Sequence, residues 1–418
     1  MKRNYGIVIL VLAIFFVISF LTNIMGALLP LIKESFKVGL AMASLLPLFF
    51  FIAYGVMSIP AGILVDAYKE KKMMVFSFAL ASLGALLFAL YPRYEIALIS
   101  LFMMGAGMAI LQVAINPLLR EAGGEEHFAF FSVMGQLFFG SASFVSPWVS
   151  SDLVERLGNF SQSSGALVKM LHSLVPPDLT WTAIYWVIAI VSIFMTLLIL
   201  SIRLPKVNLK DDERVDGIKA TVTLFKNKTV ILFFIGIFAY VGTEQGLNNW
   251  MSEFLKTYHG LDPMVEGKSA VSFFWGLLTL GCFLGLFLLK FMDSRLVLKI
   301  FSVGAIISLI FALAGPAKIS MLAFPLAGFF LSVMWSVIFS LALNSIDKQH
   351  GTFAGILCTG IAGGAIVPFI IGVLGDAWGL RFGMMFLFIT LGYILSVGFW
   401  AKPLVNNKTI NLRKKEVQ

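Results

Sequence analysis

One acidic residue lies deep inside an apolar run of the sequence, and polar residues surround it. Glu244 stands in the stretch FFIGIFAYVGTEQGLNNWMSEFL, directly after Thr243. Gln245, Asn248 and Asn249 are spaced i, i+3 and i+4, which places three amides on one face of a helix. A row of amides suits the recognition of hydroxyl groups, and a buried carboxylate can bind a cation or take up a proton. We therefore interpret Glu244 and Thr243 as a candidate coupling site, with Glu244 as the ligand of Na⁺ or the acceptor of H⁺.

Two glycines, Gly242 and Gly246, flank this polar cluster. Glycines beside polar residues suggest a loosened helix, whose carbonyl groups could complete a cation or substrate site. The alternative for Glu244 is a buried acid that only ties two helices together. The size of the polar cluster favours the functional interpretation.

The composition explains why a single acid is informative. Of the 418 residues, 59% are hydrophobic and only 13% are charged, whereas soluble proteins carry about 25% charged residues. So few charges cannot cover a water-soluble surface, which excludes a cytosolic enzyme and a nucleic-acid-binding protein. Cys282 and Cys358 lie in apolar runs and indicate neither a disulfide scaffold nor a metal site. The sequence predicts a polytopic protein of the lipid bilayer that is not an enzyme and has no cofactor.

Apolar stretches long enough to cross a bilayer recur along the chain. A transmembrane helix needs roughly 20 such residues, and twelve segments satisfy this rule, near 6–29, 41–65, 73–91, 96–119, 128–150, 182–202, 229–255, 268–290, 296–314, 321–346, 352–374 and 381–401. We predict an all-α membrane protein with twelve transmembrane helices in two six-helix bundles. The first bundle covers 1–203, a cytoplasmic linker covers 204–228, the second bundle covers 229–402, and a cytoplasmic tail covers 403–418.

The basic residues predict how the chain is oriented. With the N-terminus in the cytoplasm, most of the 31 Lys and Arg residues fall on the cytoplasmic side of the predicted helices, as expected for short loops. Both termini are then cytoplasmic, which an even number of spans requires. We expect a multi-pass protein of the cell inner membrane. The long exterior connection, 151–181, is interpreted as a short cap helix plus a turn.

The two halves resemble each other weakly. Spans five and eleven both place small residues before a proline, Gly135 before Pro147 and Gly355 before Pro368. Duplicated halves, close-packing small residues and a site between the halves are typical of secondary transporters. The motif GxxxxGK[ST] does not occur, so the sequence gives no sign of ATP drive. A channel is disfavoured because the sequence has no filter-like loop.

The stretch GILVDAYKEKK, residues 62–72, resembles the loop motif of the major facilitator superfamily. The resemblance implies two six-helix bundles that work by alternating access. It also implies a cytoplasmic gate, where Gly62 allows close helix approach, Asp66 caps or pairs across the gate, and Lys71 anchors at the anionic leaflet. Because Asp66 falls at the edge of a span, a structural role is favoured over substrate contact.

Further segments are similar to the fucose permease and glucose/galactose transporter group of this superfamily. They are SIPAG at Ser58–Gly62, Asn116-Pro117, YVGTE at Tyr240–Glu244, IFSLAL at Ile338–Leu343, GILC at Gly355–Cys358 and GGAIVP at Gly363–Pro368. The resemblance implies uptake of a hexose or related sugar by symport with Na⁺ or H⁺. It also draws attention to Gln136, since the fucose permease carries a glutamine at the same place in span five.

Two carboxylates of the fucose permease pattern are replaced in this sequence. The aspartate before the first proline is Gly26, and the glutamate of the pattern Leu-Glu-Thr-x-x-Asn-Pro is Gln112. A proton-coupling scheme that needs those acids cannot apply here, which leaves Glu244 as the candidate coupling carboxylate. The loss of both acids favours Na⁺ over H⁺ only slightly, so both ions stay open.

Sugar sites combine aromatic platforms with amide and carboxylate partners. We expect the sugar to bind between the halves, at amides and indoles: Asn23, Gln112, Asn116, Gln136, Gln245, Asn248, Asn249, Trp275 and Trp335. For Asn116 the alternative is to satisfy the backbone freed by Pro117, and for each tryptophan it is packing or lipid contact. The rival functions are a proton-coupled exporter of sugars or drugs on the same fold and a membrane sensor that transports nothing. A monomer is expected.

Overall fold

The computed structural model describes residues 4–23, 25–123, 128–161, 165–204, 217–346 and 349–404, and within these ranges the chain is helical without β-strands. The first half comprises α1 (Tyr5–Asn23), α2 (Met25–Phe36), α3 (Leu40–Tyr68), α4 (Glu70–Leu90), α5 (Tyr94–Gly123), α6 (Phe128–Gly158), α7 (Ala166–Leu174) and α8 (Ala183–Ser201). Because α1 and α2 together form one crossing and α7 is short, this half crosses the membrane six times.

The second half comprises α9 (Gly217–Leu224), α10 (Lys228–His259), α11 (Lys268–Phe291), α12 (Ser294–Ala314), α13 (Ala317–Leu331), α14 (Met334–Leu343), α15 (His350–Thr359), α16 (Gly363–Trp378) and α17 (Leu380–Trp400). The pairs α13/α14 and α15/α16 are single crossings interrupted near their middle, the latter by a 3₁₀ turn at Gly360–Ala362. This half therefore also crosses six times, and the described residues of each of the twelve predicted spans are mainly helical.

The crossing formed by α6 carries several serines, among them Ser143, Ser146 and Ser150. Within the described residues, eleven other helical segments are long and apolar enough to span a membrane. All three serines are fully or almost fully buried, because α6 packs between α1 and α11. Small polar residues are favourable at such helix contacts, since they let the backbones approach and can hydrogen-bond across them.

The connections between the crossings are short except at two places. The predicted exterior connection contains the nine-residue helix α7 and a 3₁₀ turn at Pro177–Thr182, in agreement with the expected cap helix and turn. The predicted linker contains α9, which packs against α15. Residues 205–216 of the linker and 405–418 of the tail lie outside the described part of the chain.

The two halves are in contact at one face of the bundle. With an even number of crossings, α1 begins and α17 ends at the same face, which we call the terminal face; the other is the opposite face. At the opposite face, the backbone N–H groups of Leu40 and Ala41 at the start of α3 donate to Asp376 of α16, each at 2.8 Å. A carboxylate satisfies the free N–H groups of a helix start and is stabilised by the helix dipole.

Two ion pairs also join the two halves at the opposite face. Lys33 of α2 pairs with Glu253 of α10, and Glu34 pairs with Lys256 one turn further on. The side chain of Glu253 is only 3% exposed, whereas that of Glu34 is 58% exposed. Each half supplies one acid and one base, so the charges cancel and the closed face can be desolvated.

Deeper in the bundle, α6 and α11 touch at Gly140. A Cβ added there would lie 1.9 Å from the hydroxyl oxygen of Thr279, which leaves room for glycine alone. The halves are thus held together from the opposite face down to the middle of the bundle.

Candidate functional site

A cavity lies between the two halves near the middle of the bundle. It encloses about 140 Å³, whereas a single water requires ~10–15 Å³ by the same kind of measure, so the cavity can hold a small solute. Both halves line it, with Phe15, Thr22, Phe51, Tyr54, Gln112, Gln136, Phe139 and Gly140 from the first and Tyr240, Val241, Glu244, Gln245, Trp275, Leu278, Thr279, Cys282, Ser332, Trp335, Ser336 and Ile361 from the second.

Solvent reaches this cavity from the terminal face. Gln136, two turns after the start of α6, and Ser336, in the half of its crossing nearer the terminal face, are both exposed. Trp275, nearer the opposite face, is only 1% exposed, and Gln245 is 2% exposed. The structure therefore shows a state that is open at the terminal face and closed at the opposite face.

Glu244 lines the cavity from α10 and accepts two hydrogen bonds. The hydroxyl group of Tyr240, one turn earlier on the same helix face, donates to Glu244 Oε2 at 2.5 Å. Gln245 Nε2 donates to Glu244 Oε1 at 3.2 Å. Among the described lining residues Glu244 is the one acid, and no group of three or more His, Cys, Asp or Glu side chains comes together in the described part of the chain.

The helix α10 runs unbroken through the site, so the expectation of a loosened helix was wrong. The glycines serve close packing instead: a Cβ on Gly242 would lie 2.4 Å from Val367, and one on Gly246 would lie 2.9 Å from Leu387. In sequence, glycines that pack a helix look the same as glycines that break it. The carbonyl groups of α10 stay bonded within the helix and are not free to coordinate a cation.

Thr243 lies on a different side of α10 from the carboxylate. Its hydroxyl group donates to the carbonyl of Ala239 at 2.8 Å and lies 2.7 Å from Thr390 Oγ1 of α17. The expectation that Thr243 joins Glu244 at a cation was therefore wrong. The side chain of Thr243 instead meets α17, on the side of α10 that faces away from the cavity.

A chain of hydrogen bonds runs from Trp275 to Glu244. The indole Nε1 of Trp275 donates to Asn248 Oδ1 at 2.8 Å, and Asn248 Nδ2 donates to Gln245 Oε1 at 3.3 Å. Of the predicted amide row, Gln245 lines the cavity while Asn248 supports it from behind. Asn249 is buried outside the lining, and its Nδ2 finds no hydrogen-bond partner among the described residues. Direct sugar contact by Asn248 and Asn249 is therefore not what this state shows.

Asn23, at the end of α1, connects the two halves. Its Oδ1 accepts from Gln245 Nε2 at 3.3 Å, and its Nδ2 donates to Ser143 Oγ of α6 at 2.9 Å. Ser19 Oγ lies 2.6 Å from Ser143 Oγ and extends the network within the first half. Asn23 is fully buried and does not line the cavity, so it acts as a link between the halves rather than as the expected sugar contact.

The remaining predicted sugar contacts meet in the cavity, with one exception. Gln112 of α5, Gln136 of α6, Trp275 of α11 and Trp335 of α14 all line it. The ring of Trp335 stacks on Phe339, with centroids 5.8 Å apart, and its centroid lies 6.1 Å from that of Tyr240. The side chain of Asn116 lies outside the described part of the structure.

The predicted gate residues lie in the first half, away from this cavity. Lys71 Nζ donates to the carbonyls of Leu200 at 3.0 Å and Ile202 at 2.7 Å. It thus caps the end of α8 within its own half in this state, and the role of Lys71 at a cytoplasmic gate stays a prediction. Gly62 is partly buried in α3, and the side chain of Asp66 lies outside the described part of the chain.

Several residues that line the cavity or close the opposite face were not predicted from the sequence. Tyr240 could have been found, since it stands four residues before Glu244 and such pairs meet on a helix. No pattern in the sequence around Tyr54 indicated that it lines the cavity, because its place there depends on how α3 packs against the second half. Lys33 and Glu253 were also missed, although a charge near each end of an apolar run is a reason to look for a partner.

Comparisons with known proteins agree with this geometry. A family model described as Major Facilitator Superfamily matches residues 10–361. The glucose/galactose transporter of Brucella abortus is 32% identical to this chain, over 95% of the chain and 94% of that protein. The L-fucose-proton symporter of Escherichia coli is 26% identical, over 90% and 89%. The solved structure of the E. coli fucose:proton symporter has the same fold, with a TM-score of 0.67 at 20% identity, covering 94% of this chain and 98% of that one.

Proposed function

Because this chain belongs to the major facilitator superfamily and is a membrane transporter rather than an enzyme, we propose that it takes up a hexose by symport with a proton. The observation that carries the proposal is the carboxylate of Glu244, the one acid among the described lining residues, in a cavity otherwise lined by neutral amides, hydroxyls, a thiol, phenols, indoles and apolar groups. The relatives named as glucose/galactose transporters and as an L-fucose-proton symporter support a sugar as the substrate.

The lining suits a sugar because it combines flat aromatic faces with amides. Trp275 and Trp335 offer indole faces for the apolar side of a pyranose ring, while Gln112, Gln136 and Gln245 offer amides to its hydroxyl groups. The amides come from both halves. A bound sugar is therefore contacted by the two bundles at once, as alternating access requires.

The surroundings of Glu244 favour H⁺ over Na⁺ as the coupling ion. Both carboxylate oxygens face hydrogen-bond donors, from Tyr240 and Gln245. The carbonyls of α10 are used within the helix, and Thr243 is turned away. Hard cations need several oxygen ligands at once, whereas a proton needs one oxygen. These contacts reverse the slight preference for Na⁺ that the missing acids suggested.

The direction follows from the orientation that the basic residues predict. We infer that the terminal face is cytoplasmic and that the protein lies in the inner membrane as a monomer, so that the described state is open to the cytoplasm. Uptake begins in the other state, when the contacts of Lys33 with Glu253 and of Glu34 with Lys256 are broken and the cavity opens outward. Sugar and proton then bind together, and both leave through the terminal face.

Uptake by right-side-out membrane vesicles tests the proposal. With labelled glucose and galactose, an inward proton gradient should drive accumulation and an inward Na⁺ gradient should not. The variant Glu244→Gln should lose accumulation but keep exchange of labelled for unlabelled sugar, since the amide cannot release a proton. The neighbouring Thr243→Val, which points away from the cavity, serves as the matched control and should keep accumulation. Accumulation driven by Na⁺, extrusion of lipophilic cations without sugar uptake, or no transport at all would each contradict it.

A further inference from the structure

The hydroxyl group of Tyr240 lies where the coupling carboxylate and the sugar space meet. Tyr240 and Glu244 both line the cavity, and the phenol donates to Glu244 Oε2 at 2.5 Å. A phenol can donate one hydrogen bond and accept others. While it donates to the carboxylate, its proton is therefore not available to anything else in the cavity.

The hydrogen-bond chain decides which oxygen of Glu244 can receive a proton. An indole nitrogen can only donate, so Trp275 obliges Asn248 to present its oxygen and to donate its N–H group to Gln245 Oε1. Gln245 must then donate its own N–H groups, to Glu244 Oε1 and to Asn23. A proton on Oε1 would face an N–H donor, which leaves Oε2 as the oxygen that can be protonated.

Protonation of Oε2 reverses its bond to Tyr240. A hydronium ion that enters the cavity transfers a proton to Oε2 and leaves as water; the new O–H group of Glu244 then donates to the phenol oxygen. Tyr240 can no longer donate in that direction, so its own O–H group turns into the cavity. No other bond has to break, and loss of the proton to water restores the first arrangement.

We propose that Tyr240 is a sugar-binding residue that is switched by the proton on Glu244. It donates to the carboxylate when Glu244 is ionised and to a sugar hydroxyl when Glu244 is protonated. Sugar and proton thereby favour each other's binding, which is the coupling that symport needs. The inference rests on the proposed proton symport and adds the residue that connects the proton to the sugar.

The other groups around the carboxylate do not supply such a switch. Among the described lining residues, the further titratable side chains are Tyr54 of α3 and Cys282 of α11, whose thiol donates to the carbonyl of Ser332 at 3.3 Å. Phenols and thiols ordinarily lose their proton near pH 10 and 8.5. The described lining residues of α1, α5, α6 and α14 are uncharged. A change in sugar affinity between about pH 5 and 8 therefore reports on Glu244.

Equilibrium binding of D-glucose and D-galactose to the purified, full-length protein tests the proposal across this pH range. In the unmodified protein, affinity should fall as pH rises, by roughly 2- to 10-fold, the effect of one net hydrogen bond. Tyr240→Phe should bind sugar weakly at every pH, and its affinity should equal the affinity that the unmodified protein has at high pH. Glu244→Gln, whose amide donates to the phenol oxygen permanently, should bind tightly at every pH. The double variant should match Tyr240→Phe.

Tyr54→Phe removes a phenol of the same cavity and is the matched control. It should keep the pH dependence, whatever its affinity. If Tyr240→Phe retains the pH dependence, or Tyr54→Phe loses it, the switch is wrong while proton symport stands. If the unmodified protein binds sugar equally at every pH, the proton coupling itself fails. If it binds neither sugar, the proposed function fails together with the switch. Gel filtration of each variant identifies misfolding, and Glu244→Gln tests the switch with Tyr240 intact.

Discussion

The two halves of the molecule bring different chemistry to one cavity. The first half supplies aromatic rings and amides, with Phe51, Tyr54, Gln112 and Gln136 among them, and none of its described lining residues is charged. The second half supplies Glu244 and the hydrogen-bond chain that holds it. Both bundles therefore offer amides and aromatic rings to the cavity, whereas the acid among the described lining residues comes from the second bundle. On the proposed mechanism the proton step takes place in the second half, which contacts the first half through the hydrogen bond from Gln245 to Asn23.

The largest effect should come from removing the acid of the second half. Glu244→Gln is expected to abolish accumulation completely, so that the internal sugar concentration reaches and never exceeds the external one. The reason is that no other described lining residue can carry the proton. Vesicle uptake with and without a proton gradient measures this. Residual proton-driven accumulation would show that the first half handles protons as well, and the contrast between the halves would be lost.

The next largest effect should come from the closed face, where both halves contribute equally. Glu253→Gln leaves Lys33 without its anionic partner beside buried groups, and loss of one partner of a buried pair costs about 3–5 kcal/mol, reduced here because Lys33 is 27% exposed. Glu34→Gln breaks an exposed pair and should cost at most about 1 kcal/mol. Thermal unfolding of the purified variants compares the two. Equal losses of stability would contradict the difference in burial.

A smaller effect is expected from the amides of the first half. Gln136→Ala should weaken sugar affinity by roughly 5-fold, as one net hydrogen bond is worth about 1 kcal/mol. Accumulation at saturating sugar should survive, since Glu244 is intact. Measuring uptake as a function of sugar concentration separates the sugar affinity from the accumulation at saturating sugar. Loss of accumulation at saturating sugar would place the first half in the coupling step.

The smallest effect concerns two equivalent turns, one in each half. In the second half Asp293 caps α12, accepting from the backbone N–H of Arg295 at 2.8 Å, and the Arg295 guanidinium holds the pKa of this carboxyl below its usual value. In the first half the turn before α4 has Lys69 at φ 72° and no side-chain cap. The cap that Asp293 forms should therefore depend on pH, whereas Lys69 contributes no such cap.

Stability from Asp293 is fully present above the usual aspartate pKa of about 3.9 and is lost as pH falls through the lowered folded value. Asp293→Ala should cost about 1 kcal/mol near neutral pH, and the difference from the unmodified protein should shrink below about pH 4. Melting temperatures at pH 7 and at pH 3.5 measure this. Lys69→Ala, the matched change in the other turn, should show no such pH dependence.

The fold could be predicted because the bilayer leaves few choices. Backbone polar groups in hydrocarbon must be bonded internally, so each apolar stretch of sufficient length becomes a helix. Glu244 could be found for the same reason, since an acid in such a stretch is costly without a purpose. Gln112, Gln136, Trp275 and Trp335 reach the cavity as expected, because their positions in the chain place them at its depth.

The predictions failed where the neighbour of a helix face decides the role. Helical spacing put Gln245, Asn248 and Asn249 on one side of α10, but the packing of α1 and α11 determines that Gln245 alone lines the cavity. Thr243 is adjacent in sequence and meets α17 instead. Contacts of this kind depend on the arrangement of distant segments, which a single sequence does not encode in any local pattern.

A lone carboxylate in the cavity also has an electrical consequence. If the protein is the proposed proton symporter, the carrier with its proton and a neutral sugar bound moves no charge through the membrane field, whereas the empty carrier moves one negative charge. A potential of 100 mV acts on one charge with about 2.3 kcal/mol. When the inside is negative, that energy speeds the outward return of the empty carrier and leaves the loaded step unchanged. On the proposed mechanism each cycle therefore carries one net positive charge inward, so the voltage acts on the return of the empty carrier and adds to the proton gradient that drives uptake.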